Sequence, residues 1–232
     1  MHPSKVFAMF LAVALAVALG PTPVRAETVN CTAITTLPAV ITTQGIYCFT
    51  GHLSTSITSG AAIDIQTNNV IVDLNGFKLG GLAGGFGTTA IGVQAANRQN
   101  VTVKNGTIRG YFKGISLTDS GASQGHVVED VRADQNTFVG IEVNGSGNIV
   151  RTNQVVTTGG STTFGANASA QGILMAGSGP RALNNDVINT FKAGTGVSTG
   201  ILFNGATGKY RDNLTFGVTT PFTGGTPVGT ND

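Results

Sequence analysis

Several residue types are scarce or missing in this sequence, and each absence narrows the classes of protein that remain. There is no tryptophan and there are only three tyrosines, so few of the aromatic platforms common in sugar-binding clefts are available. Charged residues make up only 10% of the chain, and they form no basic run, which argues against a nucleic acid or an anionic membrane surface as partner. Two cysteines and three histidines do not have the spacing of a zinc site.

The first 26 residues are predicted to be a signal peptide. An apolar run over residues 6–19 follows Lys5, two prolines then end any helix, and residues 24–26 suit a signal peptidase. The alternative is a membrane anchor, but the run is shorter than the roughly 20 residues that span a bilayer. No other stretch is long enough to do so. We therefore expect an exported protein, periplasmic or extracellular, with no membrane span after cleavage.

The two cysteines, Cys31 and Cys48, predict a disulfide bond, because exported proteins with an even cysteine count usually pair them. The bond would close a short loop and contribute about 3 kcal/mol in the loop-entropy model. Two free buried thiols are the alternative. Residues 27–61 precede the first full repeat and are predicted to form a disulfide-tied cap over the open end of the stack. Residues 219–232, rich in glycine, threonine and proline, are predicted to form a C-terminal tail.

A short phrase recurs between these ends: glycine or alanine, isoleucine, a variable residue and an apolar residue. Its starts lie 28, 24, 26, 32 and 28 residues apart, and such periods are typical of stacked repeats. Each copy alternates apolar and variable positions, as a half-buried strand does. The copies are Ala62–Ile65, Ala90–Val93, Gly114–Leu117, Gly140–Val143, Gly172–Met175 and Gly200–Phe203.

A second and a third strand follow each phrase, with a recurring polar residue in the turn between them. Asparagine tolerates left-handed backbone, and stacked asparagine side chains can bond to each other. This predicted structural column is Asn75, Asn105, Asp130, Asn153, Asn185 and Asn213. We therefore predict an all-β protein whose residues 62–218 form a single-stranded, right-handed parallel β-helix of about six to seven coils, with three short strands per coil. A β-sandwich, the alternative, would need antiparallel hairpins and leaves the repeated phrase unexplained.

The segments Gly45-Ile46-Tyr47, Val72-Asp73-Leu74-Asn75-Gly76 and Asn105-Gly106-Thr107-Ile108-Arg109-Gly110 give the chain a family resemblance. It resembles exported bacterial proteins of the right-handed parallel β-helix repeat group, within the pectin-lyase-like fold superfamily, over about residues 45–216. The resemblance implies the fold more strongly than an activity, because the superfamily includes polysaccharide lyases, glycoside hydrolases, epimerases, adhesins and proteins of no known activity.

Substrates of that superfamily usually lie along the outer face of the first sheet, so the resemblance implies a polysaccharide partner there. Strand alternation predicts a central outward column of Asp64, Gly92, Ser116, Glu142, Leu174 and Leu202, and a second of Gln66, Gln94, Thr118, Asn144, Ala176 and Asn204. The predicted substrate-binding residues are Asp64, Gln66, Gln94, Ser116, Tyr111 and Asn144. Long loops at residues 78–89, 157–171 and 189–199 either wall a groove or are tolerated insertions.

Candidate catalytic residues are harder to find. Asp64 and Glu142 are three coils apart, roughly 14 Å at the strand spacing, which is too far for the two carboxyls of a glycoside hydrolase. A calcium-dependent lyase needs converging carboxylates and a base that removes a proton next to a uronate carboxyl. The best candidates lie on adjacent coils: Arg109, Lys113, Asp134 and Glu142. No cofactor is evident, and calcium is the candidate cation for a lyase. The alternative is a solvated ion-pair cluster.

The sequence supports two functional hypotheses. In the first, the exported β-helix binds an acidic polysaccharide along its first sheet, with lyase-type cleavage as a candidate reaction. In the second, the protein is a noncatalytic surface or structural protein whose rigid β-helix displays loops to a partner. The low charge, the few aromatic residues and the lack of a complete catalytic motif favour the noncatalytic class.

Overall fold

In the part of the chain that the structure describes, short extended segments form 22 β-strands, separated by turns rich in glycine and asparagine. The computed structural model describes residues 30–205 and 207–232, so the predicted signal peptide at residues 1–26 lies outside the described residues. Two short 3-10 helices, η1 (Leu82–Gly84) and η2 (Gly165–Asn167), lie in loops. The strands are β1 (Thr32–Ile34), β2 (Ala39–Ile41), β3 (Gly45–Phe49), β4 (Leu53–Ser54), β5 (Ala61–Ile65), β6 (Val70–Asp73), β7 (Lys78–Gly80), β8 (Ile91–Ala96), β9 (Val101–Arg109), β10 (Lys113–Thr118), β11 (Val127–Asp134), β12 (Val139–Asn144), β13 (Ile149–Arg151), β14 (Gln154–Gly159), β15 (Ala170–Ala176), β16 (Arg181–Leu183), β17 (Asp186–Phe191), β18 (Ser198–Asn204), β19 (Lys209–Arg211), β20 (Leu214–Phe216), β21 (Thr220–Thr223) and β22 (Thr226–Pro227).

The strands pair in parallel, and each pairs with the equivalent strand one coil away. The front sheet has eight strands in the order β2-β5-β8-β10-β12-β15-β18-β21. The back sheet has 14 strands in two arms, because β9 and β11 are long enough to take part in both. Valine, isoleucine and leucine side chains from both sheets fill the interior. This is a parallel β-helix, and the fold class predicted from the sequence is confirmed.

Both sheets extend past the predicted limits of the solenoid at residues 62 and 218. Strands β2, β3 and β4 pair with β5, β6 and β7, so the predicted cap contains a complete first coil. At the other end, β21 pairs with β18 and β22 with β19. The predicted disulfide is present and joins Cys31 to Cys48, with the two Cα atoms 5.8 Å apart. Among the described residues, no helix is long and apolar enough to cross a membrane.

Glycine starts most copies of the repeated phrase because a larger residue would not fit there. A β-carbon on any of these glycines would come within 2.4–2.7 Å of a backbone oxygen of the next coil. The glycine column is Gly92, Gly114, Gly140, Gly172 and Gly200. The second copy of the phrase therefore starts at Gly92 and not at Ala90, because Val93 pairs with Ile63 and Ile115. This two-residue correction leaves the outward face unchanged but puts Gln94, and not Gly92, at the central outward position of that coil.

The predicted asparagine column lies in the turn between the two arms of the back sheet. Its members have two different local arrangements, one in the early coils and one in the later coils. In the later coils Asn153, Asn185 and Asn213 are buried and bonded in series, with Nδ2–Oδ1 distances of 3.0 and 2.9 Å. Asn231 extends this ladder, 3.1 Å from Asn213. The remaining predicted members take left-handed backbone instead: Asn75, Asn105 and Asp130. In the later coils the left-handed residue lies one position before the ladder: Thr152, Asn184 and Asp212.

Candidate functional site

The outer face of the front sheet carries a continuous column of side chains, one from each coil. In order along the stack the column is Val40, Asp64, Gln94, Ser116, Glu142, Leu174, Leu202 and Thr223. Gln94 takes the central place that the sequence predicted for Gly92, so four consecutive coils present polar groups. We call Asp64, Gln94, Ser116 and Glu142 the polar strip. Asp64 and Glu142 are three strands apart, as predicted.

The lower half of the polar strip is accessible. The Asp64 carboxylate accepts hydrogen bonds from Gln66 Nε2 at 2.8 Å and from Gln94 Nε2 at 3.5 Å. Gln66 is exposed, and Asp64 and Gln94 are half-buried. These three side chains lie together and present planar carboxylate and amide groups to solvent, which suits hydrogen bonding to a ligand rich in hydroxyl groups.

The upper half of the polar strip is closed by its own hydrogen bonds. Lys113 Nζ lies 2.6 Å from Glu142 Oε2, and Ser116 Oγ donates to the same oxygen at 2.5 Å. Only 6% of Glu142 and 1% of Ser116 are exposed. The prediction that Ser116 contacts substrate is therefore wrong for the folded chain, because its hydroxyl is buried and already donates to Glu142.

The other two candidate catalytic residues pair separately on the back sheet. Arg109 Nε lies 3.6 Å from Asp134 Oδ2, and a second guanidinium nitrogen of Arg109 donates to the side-chain oxygen of Gln135. Arg109 and Asp134 belong to β9 and β11, whereas Lys113 and Glu142 belong to β10 and β12 of the front sheet. The structure thus arranges the four predicted catalytic side chains as two ion pairs on two sheets.

Two further predicted contact residues have other surroundings. Tyr111 is fully buried, and its hydroxyl donates to the Gly80 carbonyl at 3.1 Å. Burial raises the pKa of this hydroxyl above its ordinary value, and the prediction that Tyr111 contacts substrate is wrong. Asn144 is half-buried at the edge of the outer face, in line with Ala176 of the next coil.

No cluster of acidic side chains that could hold the candidate calcium ion lies in the part of the chain that the structure describes. Within residues 30–205 and 207–232, no group of three or more histidine, cysteine, aspartate or glutamate side chains lies close enough to hold a metal ion. Because calcium needs several converging oxygen ligands, the two separate ion pairs do not supply a calcium-dependent elimination site.

Sequence reasoning missed a buried serine–histidine pair. Ser123 Oγ lies 2.6 Å from His126 Nε2, while His126 Nδ1 accepts the backbone N–H of Val101 at 3.1 Å. Because Nδ1 is an acceptor, the proton of the neutral ring is on Nε2 and is donated to the serine. Burial lowers the pKa of His126 from 6.5 to about 4. This tautomer cannot take a proton from Ser123, so the pair is structural.

A turn built on Asp119 positions that pair. One oxygen of the Asp119 carboxylate accepts the backbone N–H groups of Gly121, Ala122 and Ser123, each at 2.7 Å. The N–H of Ser123, followed by those of the other two residues, lowers the pKa of Asp119 below its ordinary value. The turn therefore stays closed around a charged carboxylate, and Ser123 is held against the imidazole of His126.

Aromatic rings border the outer face where the chain enters the front sheet. Phe112 and Phe138 stack with centroids 4.9 Å apart, and Phe164 packs 4.8 Å from Phe138. Phe138 and Phe164, with Gln171, line a depression of about 190 Å³. Four phenylalanines are exposed, Phe86, Phe164, Phe191 and Phe216. The available signal for the first three was their place in the long loops predicted from the sequence, whereas Phe216 ends strand β20.

Comparison with known proteins identifies no family for this chain. No protein-family model matches the chain, and no curated protein matches it significantly. The resemblance to the pectin-lyase-like superfamily therefore stays a prediction, and we infer function from the geometry of the outer face.

Proposed function

We propose that the protein is an exported, noncatalytic polysaccharide-binding β-helix that holds a glycan along the outer face of its front sheet. The observation that supports this most is the accessible cluster of Asp64, Gln66 and Gln94, whose carboxylate and amide groups lie side by side across two coils. Adjacent strands are about 4.8 Å apart, so the cluster offers accessible polar groups on two neighbouring strands to a chain rich in hydroxyl groups.

The pairing of the charged groups supports the noncatalytic part of this proposal. Elimination needs a base that is free to take a proton and a cation that neutralises the uronate carboxyl. Lys113 is in an ion pair with Glu142, and Arg109 is in an ion pair with Asp134. Each candidate base is thus neutralised by a carboxylate of its own sheet, which suits a binding surface better than an active site.

The chemistry of the accessible cluster favours a neutral glycan over the acidic one expected from the sequence. Asp64 has no ion-pair partner among the described residues, so it would repel a uronate carboxylate. A neutral, hydroxyl-rich chain would donate hydrogen bonds to Asp64 and exchange them with the amides of Gln66 and Gln94. The exposed ring of Phe164, close to Gln171, adds an apolar surface on which the carbon face of a sugar can pack.

Export is supported by the disulfide between Cys31 and Cys48. Disulfides form and persist in oxidising compartments such as the periplasm and the cell exterior.

Affinity electrophoresis in gels that contain neutral polysaccharides (glucan, xylan, mannan) or acidic ones (pectate, alginate, glycosaminoglycan) tests this function. We expect retardation by a neutral polysaccharide, weakened about fivefold in Gln94→Ala, since one hydrogen bond contributes about 0.5–1.5 kcal/mol. Gln154→Ala is the matched control, because Gln154 is a half-buried glutamine of the back sheet. If only an acidic polysaccharide retards the protein, the ligand is acidic and not neutral. If Gln94→Ala and Gln154→Ala weaken retardation equally, the polysaccharide does not bind at the front sheet.

A further inference from the structure

Asparagine followed by glycine is the dipeptide in which a side-chain amide reacts most readily with the backbone. Glycine has no side chain to hinder the approach of its nitrogen to the asparagine Cγ, and it adopts the backbone conformations that the approach needs. The chain contains this dipeptide at Asn75-Gly76, Asn105-Gly106, Asn144-Gly145 and Asn204-Gly205. The four pairs have different surroundings in the fold, so their reactivities should differ.

The first three pairs are held in place by neighbouring coils. The Gly76 N–H donates to a carbonyl of the next coil at 2.8 Å, and the Gly145 N–H does so at 3.0 Å. Gly106 lies inside strand β9, and a β-carbon there would lie 2.4 Å from that of Leu74. A backbone nitrogen held in this way reaches the preceding side chain only after its hydrogen bond or its packing is broken.

The fourth pair lies where strand β18 loses one of its neighbours. Asn204 ends this strand, and both Asn204 and Gly205 are exposed. Strand β18 pairs with β15 as far as Asn204 but with β21 only as far as Leu202. The Gly205 N–H has no backbone hydrogen bond to any described residue, and a β-carbon at Gly205 would have no atom within 4 Å. This nitrogen is therefore free to approach the Asn204 side chain.

We propose that Asn204 is a site of spontaneous deamidation in the folded protein. The Gly205 nitrogen loses its proton and bonds to the Asn204 Cγ, which closes a succinimide ring and releases the side-chain nitrogen as ammonia. Water then opens the ring. Cleavage of the new bond to Cγ gives aspartate, and cleavage of the original peptide bond gives isoaspartate. The reaction consumes water, releases ammonia and needs no oxidant or reductant.

The reaction changes the charge and the backbone at the end of β18. A carboxylate replaces an exposed amide, which lowers the formal net charge of the full chain, +2, by one. Isoaspartate also lengthens the main chain between β18 and β19, because its backbone runs through the β-carbon. Gln94 of the proposed polysaccharide site is four strands away along the front sheet. Deamidation and polysaccharide binding should thus be independent, and either can fail without the other.

Peptide mapping by mass spectrometry tests the proposal on the purified full chain, incubated at neutral and at mildly alkaline pH. Since one hydrogen bond slows such a step by about two- to tenfold and packing slows it further, we expect Asn204 to lose its amide at least about tenfold faster than the other three. The rate should rise with pH, because the attacking nitrogen must lose a proton. In urea, where the fold is lost, all four pairs should react at similar rates.

A variant tests whether the acidic form of the protein comes from this residue. Asn204→Gln keeps an exposed amide but would have to close a larger ring, so the acidic form seen in isoelectric focusing should disappear. Asn30→Gln is the matched control, because Asn30 is exposed and is followed by cysteine, and it should leave that form unchanged. The proposal is overturned if Asn204 keeps its amide as long as the other three pairs, if the same ranking persists in urea, or if the acidic form persists in Asn204→Gln.

Discussion

The two halves of the polar strip use hydrogen-bonding groups in different ways. In the upper half, Lys113, Ser116 and Glu142 satisfy one another and exclude solvent. In the lower half, Asp64 bonds to Gln66 and Gln94, but Gln66 is exposed and the other two side chains are only half-buried. We therefore expect a ligand on this face only where polar groups remain accessible to solvent.

The largest effect should come from His126, a polar group that is as fully satisfied as those of the closed strip. Its pKa is about 4 in the folded chain and 6.5 ordinarily, so between these values the unfolded chain binds a proton that the folded chain does not. Stability should therefore fall by about 3 kcal/mol as the pH drops from 6.5 to 4, and this contribution should change no further below pH 4. Urea unfolding at several pH values measures the change.

Comparison with His126→Gln isolates this contribution, because the two proteins differ only in the side chain at that position. The variant should be less stable at neutral pH and should lose the part of the acid dependence that His126 causes. His52→Gln, at a histidine that is not buried, should retain the wild-type profile. An unchanged profile in His126→Gln would show that the imidazole is not held neutral by the fold.

The next effect concerns the closed half of the polar strip. Glu142→Gln leaves the Lys113 ammonium without its carboxylate in a largely buried position, and we expect a loss of about 2 kcal/mol in the free energy of unfolding. Glu129→Gln removes the carboxylate of a more exposed pair with Arg151 and should lose less than about 1 kcal/mol. Denaturant unfolding measures both free energies. Equal losses in Glu142→Gln and Glu129→Gln would contradict the distinction between the buried ion pair and the exposed one.

The smallest effect is expected at Thr137, whose buried hydroxyl has no partner among the described residues. Thr137→Val replaces an unpartnered hydroxyl with a methyl group of similar shape, so stability should change by less than about 0.5 kcal/mol or rise slightly. Thr190→Val is the matched comparison, because Thr190 is also buried but its hydroxyl bonds to Ser198, and its loss should be about 1–2 kcal/mol. A large loss in Thr137→Val would mean that its hydroxyl is satisfied within the fold.

The fold was predictable because its signals are periodic. The repeated phrase, the recurring turn residue and the cysteine pair led to the parallel β-helix and to the disulfide between Cys31 and Cys48. The pairing register of a single coil was harder to predict. Ala90-Ile91 matches the repeated phrase in sequence, but the phrase in that coil begins at Gly92. Only strand pairing, which depends on the length of every preceding turn, shows that Gln94 lies beside Asp64.

The periodic strand pattern also predicted part of the candidate site. Strand alternation correctly placed Asp64, Ser116 and Glu142 on one outer face. It could not show that Lys113 and Ser116 bond to Glu142, because these contacts depend on rotamers and distances between coils. The depression lined by Phe86, Gly160 and Phe191 was not predicted, since the positions of exposed rings such as Phe86 depend on how loops fold back over the sheet.

The most direct test of the account measures both binding and cleavage of the same polysaccharide. Purified protein is incubated with the polysaccharide that retards it most and, in parallel, with pectate and alginate in calcium. Chain length and the ultraviolet absorbance of an elimination product are then measured over time. We predict retention that Gln94→Ala weakens, with chain length and absorbance constant. Shortening of the polysaccharide that stops in Glu142→Gln would contradict this prediction and identify an enzyme.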